Sequence, residues 1–196
     1  MPKRAAHIQR TTKETDIELS LNLDGSGDYD IATGVPFFDH MLSHVAKHGL
    51  LSLTIKAQGD IEVDFHHLVE DVGIALGEAL AKAVGDKRGL VRYGHCVLPM
   101  DEACVLCALD FSGRPHLRYD VEVQPHKTGE FDTELGQVFF AAVAANANLT
   151  LHFQQLAGRN SHHLLEAAFK AFGRALDQAT QLDPRRADVP STKGQL

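Results

Sequence analysis

Residues 16–23, DIELSLNL, alternate apolar and polar side chains with period two, as a strand with one buried face does, and the DGSG that follows is a turn signal. From Pro36 the period changes. The run PFFDHMLSHVAKH (36–48) opens on a proline suited to a first helical turn and closes on Gly49, a C-terminal stop. LSLTIKA (51–57) is strand-like, and residues 66 to about 84 carry Leu68, Val72, Ala75, Leu76, Ala79 and Leu80 at helical spacing. The second half repeats the order with ACVLCALD (103–110), a predicted helix near 133–146, NLTLHFQQL (148–156) and a predicted helix at about 161–180. Each half therefore reads strand, turn, strand, helix, strand, helix, which predicts an α+β or α/β fold with sheet covered by helices.

The two halves also match in detail. Placing His66-His67 over His162-His163 aligns Glu70 with Glu166, Gly77 with Gly173, Ala79 with Ala175 and Leu80 with Leu176. Upstream, GLLSLTI (49–55) lies over ANLTLHF (147–153), and LNLDGSG (21–27) over CALDFSG (107–113). Their common order argues for a duplicated unit of roughly ninety residues. The units are taken as 1–90 and 91–182. The polar tail 183–196, DPRRADVPSTKGQL, reads by itself as an irregular surface segment.

Composition narrows the function classes. A formal charge of −7 without a continuous basic run disfavours nucleic acid as a partner. No apolar stretch approaches the ~20 residues of a membrane span, and the start lacks the apolar segment of a secretory signal. Cys96, Cys104 and Cys107 are odd in number, so a disulfide framework is not expected and a reducing cytoplasm is; Cys104 and Cys107 are expected in the core. The twelve histidines are the oddity.

In a helix, residues i and i+4 share a face, whereas neighbours lie about 100° apart. His162 and Glu166 can therefore hold one metal ion together while His163 points elsewhere, and the same holds for His66, Glu70 and His67. If the two duplicated helices face each other, two sites follow: His162, Glu166 and His67 at one, and His66, Glu70 and His163 at the other. Nitrogen and carboxylate donors suit Mn, Fe or Zn better than Ca or Mg. A single His-x-x-x-Glu is commonly just a solvated helix face. Two copies at matched repeat positions, with a histidine-rich helix upstream, favour metal. Of His40, His44 and His48 one is expected to be a ligand and the others helix surface; His7, His95, His116 and His126 are expected to be non-ligands.

From about Arg10 to the C-terminus the chain resembles the imidazoleglycerol-phosphate dehydratase family of histidine biosynthesis. The words that carry the resemblance are RTTKET, GVPFFDHMLSHVAKHG, FHHLVEDVGIALG, SGRPHLRYD, LAGRNSHHLLEAAFKAFGRAL, DPRR and VPSTKG. It implies a tandem repeat of a ferredoxin-like βαβ half-unit, an assembly of 24 subunits with active sites at subunit contacts, and two Mn(II) ions per site. Carried over by motif, His40, His67, His162 and Glu166 form one metal site, and His66, Glu70 and His163 are part of the other. By the repeat, His40 corresponds to Val138, where many relatives have a ligating side chain; the second site is then expected to be short of a protein ligand. The implied reaction is dehydration of D-erythro-imidazole-glycerol phosphate to imidazole-acetol phosphate, through a dimetal-bound imidazolate and a diazafulvene-like species. Glu14 is the implied acid/base. Arg92, Arg114, Lys170, Ser191, Thr192 and Lys193 are the implied phosphate ligands, which turns the tail into a lip closing on phosphate. Two other classes compete: a metal-storage protein, which leaves the arginines and the tail unexplained, and a dinuclear metallohydrolase, since paired metals also activate water.

Overall fold

The computed structural model describes residues 4–124 and 127–196; His126, expected to be no ligand, lies outside them. The first half folds as β1 (Ala5–Thr11), β2 (Thr15–Asn22), β3 (Tyr29–Ala32), α1 (Pro36–Gly49), β4 (Ser52–Gly59) and α2 (His66–Val84). The second folds as β5 (Tyr93–Met100), β6 (Ala103–Asp110), β7 (His116–Asp120), a short hairpin of β8 (Lys127–Thr128) and β9 (Phe131–Asp132), α3 (Leu135–Ala147), β10 (Thr150–Ala157) and α4 (Ser161–Thr180). Each half forms a four-stranded sheet with the same topology, β1-β2-β4-β3 and β5-β6-β10-β7, in which the last strand pair is parallel and the others antiparallel. The architecture is α+β, two four-stranded sheets packed by helices in two βαβ-like halves. Among the described residues no helix is long and apolar enough to cross a membrane.

Strands β1 and β5 were not assigned from the pattern. Both are edge strands whose side chains alternate poorly, as in AAHIQRT and YGHCVLPM, and hairpin pairing with β2 and β6 makes them strands. Cys107 is buried as expected, but Cys104 is only half-buried, because an odd spacing turns it to the other face of β6.

The helices do not pair as the duplication suggested. The paired metal sites are conditional on α2 facing α4, and within one chain that condition is not met: α2 packs on α3 and α1 on α4, so each helix pair joins one element from each half. Glycines permit this crossing. A Cβ on Gly173 would meet the Val45 carbonyl oxygen at 2.8 Å and the Gly49 nitrogen at 3.0 Å, and a Cβ on Gly77 would meet the Val143 oxygen at 2.8 Å and the Ala147 nitrogen at 3.0 Å. Gly173→Ala is expected to lose about 1–3 kcal/mol of stability, because backbone on both sides must part. The same shift would widen the gap between α1 and the first turns of α4. Denaturant midpoints with metal affinity beside them would check this; a midpoint equal to that of the parent would show that the crossing tolerates a methyl group.

Candidate functional site

The α1·α4 crossing brings three side chains of the two halves to one point. Donor atoms of His40, His162 and Glu166 all lie within 4.8 Å of one another, an arrangement that could hold a metal ion. Glu166 Oε2 is 3.0 Å from His162 Nε2 and 3.4 Å from His40 Nε2; its Oε1 accepts from Lys170 Nζ at 2.5 Å and is 3.5 Å from His44 Nε2. The i,i+4 spacing of His162 and Glu166 delivers the pair on one face of α4, and the α1 crossing adds His40. The imidazoles of His40 and His162 remain about half exposed, with side chains 48% and 42% accessible, so the cluster is open on one side to further donors. Two imidazole nitrogens with one carboxylate oxygen are a donor set that fits Mn, Fe or Zn.

His44 corrects an expectation. It is not helix surface but stands against α4, its side chain 16% exposed, with Nε2 3.2 Å from that of His40. Burial pushes its imidazole down to about 4, despite the nearby Glu166 carboxylate. His48, half-buried beside it, is likewise lowered by burial. For Glu166 burial works against ionisation, but Lys170, His44 and His162 outweigh it and hold the carboxyl at about 2.

These shifts fix the acid behaviour of chelated protein. His44 lies below its ordinary 6.5 when folded, so its contribution is complete above about 6.5 and is withdrawn as pH falls towards about 4. Glu166 contributes fully above its ordinary 4.5 and loses that contribution as pH falls towards about 2. Urea midpoints at constant ionic strength are expected to drop from pH 6.5 downwards and to drop further below 4.5. A flat midpoint between pH 7 and 4 would contradict a buried neutral His44.

The displaced histidines go elsewhere. His67 directs Nδ1 at Asp60 Oδ2, 3.0 Å away, with Glu14 Oε2 at 3.8 Å. His163 directs Nδ1 at Glu102 Oε2, 2.7 Å away. Glu102 also accepts from the Asn160 N–H at 3.0 Å, while the Asn160 side chain caps α4 by accepting from the His163 N–H. A carboxylate on Nδ1 fixes the ring and leaves Nε2 available as a ligand. The sequence singled out neither Asp60, which precedes His67 by 7 residues, nor the pairing of Glu102 with His163, which lies 61 residues on. Within one chain His67 does not join His162 and Glu166, and His163 does not join His66 and Glu70. His66 and Glu70 stand exposed at the start of α2.

A second basin of about 800 Å³ is lined by Arg92, Arg114, Arg186, Ser191, Thr192 and Lys193, among others. Arg92 is largely committed: Nε and Nη2 donate to Asp110, and Nη1 donates to the Pro190 carbonyl, which ties down the tail. Arg114 and Lys193 are exposed, and Arg186, unassigned from sequence, joins them. Lys170 is not in this basin. The Arg92 N–H donates to the Ala179 oxygen near the C-terminal end of α4, whereas the histidine cluster sits at the N-terminal end. At 1.5 Å per residue the two lie roughly 20 Å apart along the helix.

Relatives match the whole of this framework. The family described as imidazoleglycerol-phosphate dehydratase matches residues 33–176. An imidazoleglycerol-phosphate dehydratase of Jannaschia sp. (strain CCS1) is 60% identical over 194 residues, covering 98% of this chain and 100% of the relative. One of Desulforamulus reducens is 56% identical over 196 residues, covering 100% of both. Among solved structures, the enzyme of Staphylococcus aureus subsp. aureus N315 superposes with a TM-score of 0.83 at 43% identity, covering 91% of this chain and 99% of that one. That of Pyrococcus furiosus, in complex with (S)-C348, gives 0.84 at 39%, covering 96% and 100%. With the residues of every quoted motif present in a chain matched over its length, this protein belongs to the imidazoleglycerol-phosphate dehydratase family of hydro-lyases.

Proposed function

We propose that this chain dehydrates D-erythro-imidazole-glycerol phosphate to imidazole-acetol phosphate in histidine biosynthesis, with Mn(II) as the metal and two ions per active site. The observation that carries this is the convergence of His40, His162 and Glu166 from the two halves of a chain of this family. His40, His162 and Glu166 would hold one ion, joined by His67 of a second copy; His66 and Glu70 would hold the other, joined by His163 of a second copy. When bound, such ions supply Lewis-acid polarisation of the substrate's imidazole ring, which eases departure of the hydroxyl on the adjacent carbon. Asp60 and Glu102 fix the rings of His67 and His163 through Nδ1. Glu14 moves the proton of the carbon that becomes the ketone, which has no neighbouring carbonyl to acidify it. Arg92 holds the tail, and Arg114, Ser191, Thr192 and Lys193 bind the phosphate.

The separation of about 20 Å between the cluster and the basin along α4 exceeds the reach of one substrate molecule. This supports an active site built between copies in a homo-oligomer, for which the family resemblance implies 24 subunits. A tail from one copy that meets α4 of another would also bring its basin to Lys170. The compartment that goes with this function and with an odd set of unpaired cysteines is the cytoplasm.

The test is formation of the ketone from imidazole-glycerol phosphate by Mn(II)-loaded protein, beside a chelated sample. Metal-dependent product is expected; no product from protein that carries its metal would refute the activity. Sharing of the site has its own check. Chains with His162→Ala and chains with Arg114→Ala and Lys193→Ala, co-expressed, are expected to recover activity that neither has alone. Failure of demonstrably mixed assemblies to recover it would confine the site to one chain.

A further inference from the structure

The two helix crossings are equivalent by internal symmetry, and their contacts give the register. Gly173 opposes Val45 and Gly49 as Gly77 opposes Val143 and Ala147. The left-handed residue that ends α1, Leu50, donates to the Ala46 oxygen as the left-handed Asn148 that ends α3 donates to the Ala144 oxygen. In that register the counterpart of His40, His162 and Glu166 is Val138, His66 and Glu70. His44 and Lys170 are matched by Ala142 and Ile74. The first group is a cluster with one buried carboxylate oxygen already turned to both imidazoles. In the second, Val138 is half-buried against the core and has no donor atom, and the Glu70 side chain makes no hydrogen bond or ion pair among the described residues.

We infer that the two metal positions of this chain are unequal: the position of His40, His162 and Glu166 fills first, and that of His66 and Glu70 holds its ion weakly, with water or substrate in the place that Val138 leaves. This rests on the metal-dependent function proposed above and deepens it. Lys170 opposes a cation at the first position by charge, yet it takes one oxygen of Glu166 and leaves Oε2 facing His40 and His162. Three donors already converged, against two with no third beside them, favour that position, because a ligand already in place has no ordering cost left to bear on binding. The second position keeps turnover sensitive to the free metal concentration.

Mn(II) titration of chelated protein, followed by calorimetry and by the electron paramagnetic resonance of free Mn(II), tests the inference. Two classes are expected, one ion per chain in each, at least about tenfold apart, a gap that loss of even an outer-shell partner can produce. Val138→His should tighten the weak class by a similar factor and leave the tight one unmoved. His40→Val, at an exposed position, should convert the tight class to weak. Two equal classes in the parent, a weak class indifferent to Val138→His, or loss of the weak class in His40→Val would each overturn the inequality. A protein that dehydrates its substrate without taking up any Mn(II) would overturn the metal dependence itself, and the inequality with it.

Discussion

Glu166→Gln protein is expected to fold, to lose the tighter-bound metal and to lose dehydration by about 10³-fold or more. The amide keeps the shape of the side chain and can still accept from Lys170 through its oxygen. What disappears is the negative charge at the centre of three imidazoles and an ammonium, a carboxylate held at about 2 in metal-free protein and so ionised at any working pH. A neutral amide next to Lys170 leaves a metal ion facing an uncompensated cation. A Lewis acid contributes several kcal/mol to its reaction, and each 1.36 kcal/mol is tenfold in rate, which sets the scale of about 10³. Bound Mn(II) by elemental analysis and turnover should fall together while circular dichroism is unchanged. If turnover falls and metal content stays at the parental level, Glu166 is no ligand and its role is to orient Lys170 or the histidines.

Much of this cluster was legible before any coordinates, because both the helical period and the duplication are written along the chain. The period placed His162 and Glu166 on one face of a helix found within a residue of its expected bounds, and the repeat matched Val138 to His40. What the sequence could not supply was the partner of each helix. Duplicated helices invite pairing like with like, yet α2 meets α3 and α4 meets α1. Gly77 and Gly173 had been aligned with each other, but a helical glycine announces close approach without naming the approaching chain. The burial of His44 follows from the same crossing, and so was missed with it. Asp60 escaped, and Glu102 could be read only as orienting some neighbour, for another reason: an acidic loop residue is ordinarily solvated, and only the fold shows that each is aimed at the Nδ1 of a particular histidine. The tail carried no periodicity, and its attachment depends on Arg92, nearly a hundred residues away, donating to the Pro190 carbonyl.

Glu14→Gln is expected to behave in the opposite way to Glu166→Gln, keeping metal while dehydration falls about 10²–10⁴-fold, the range for removal of a general acid or base. The turn between β1 and β2 holds this residue in place for the proton transfer proposed above. Its backbone is fixed on both sides: the Glu14 N–H donates to Thr12 Oγ1, the Asp60 N–H donates to the Glu14 oxygen, and Thr15 donates to Asp71, which also receives Arg10. The carboxylate itself is left half exposed and unpaired with lysine or arginine among the described residues, with Oε2 3.8 Å from His67 Nδ1. Its reach to His67 would bring it beside a substrate ring held at a metal that His67 serves. Deuterium exchange at the carbon that loses its proton separates the possibilities further. A variant that binds Mn(II) normally and neither exchanges nor dehydrates makes Glu14 the proton carrier. One that loses Mn(II) makes it a ligand, and one that dehydrates at the parental rate assigns the proton to another group.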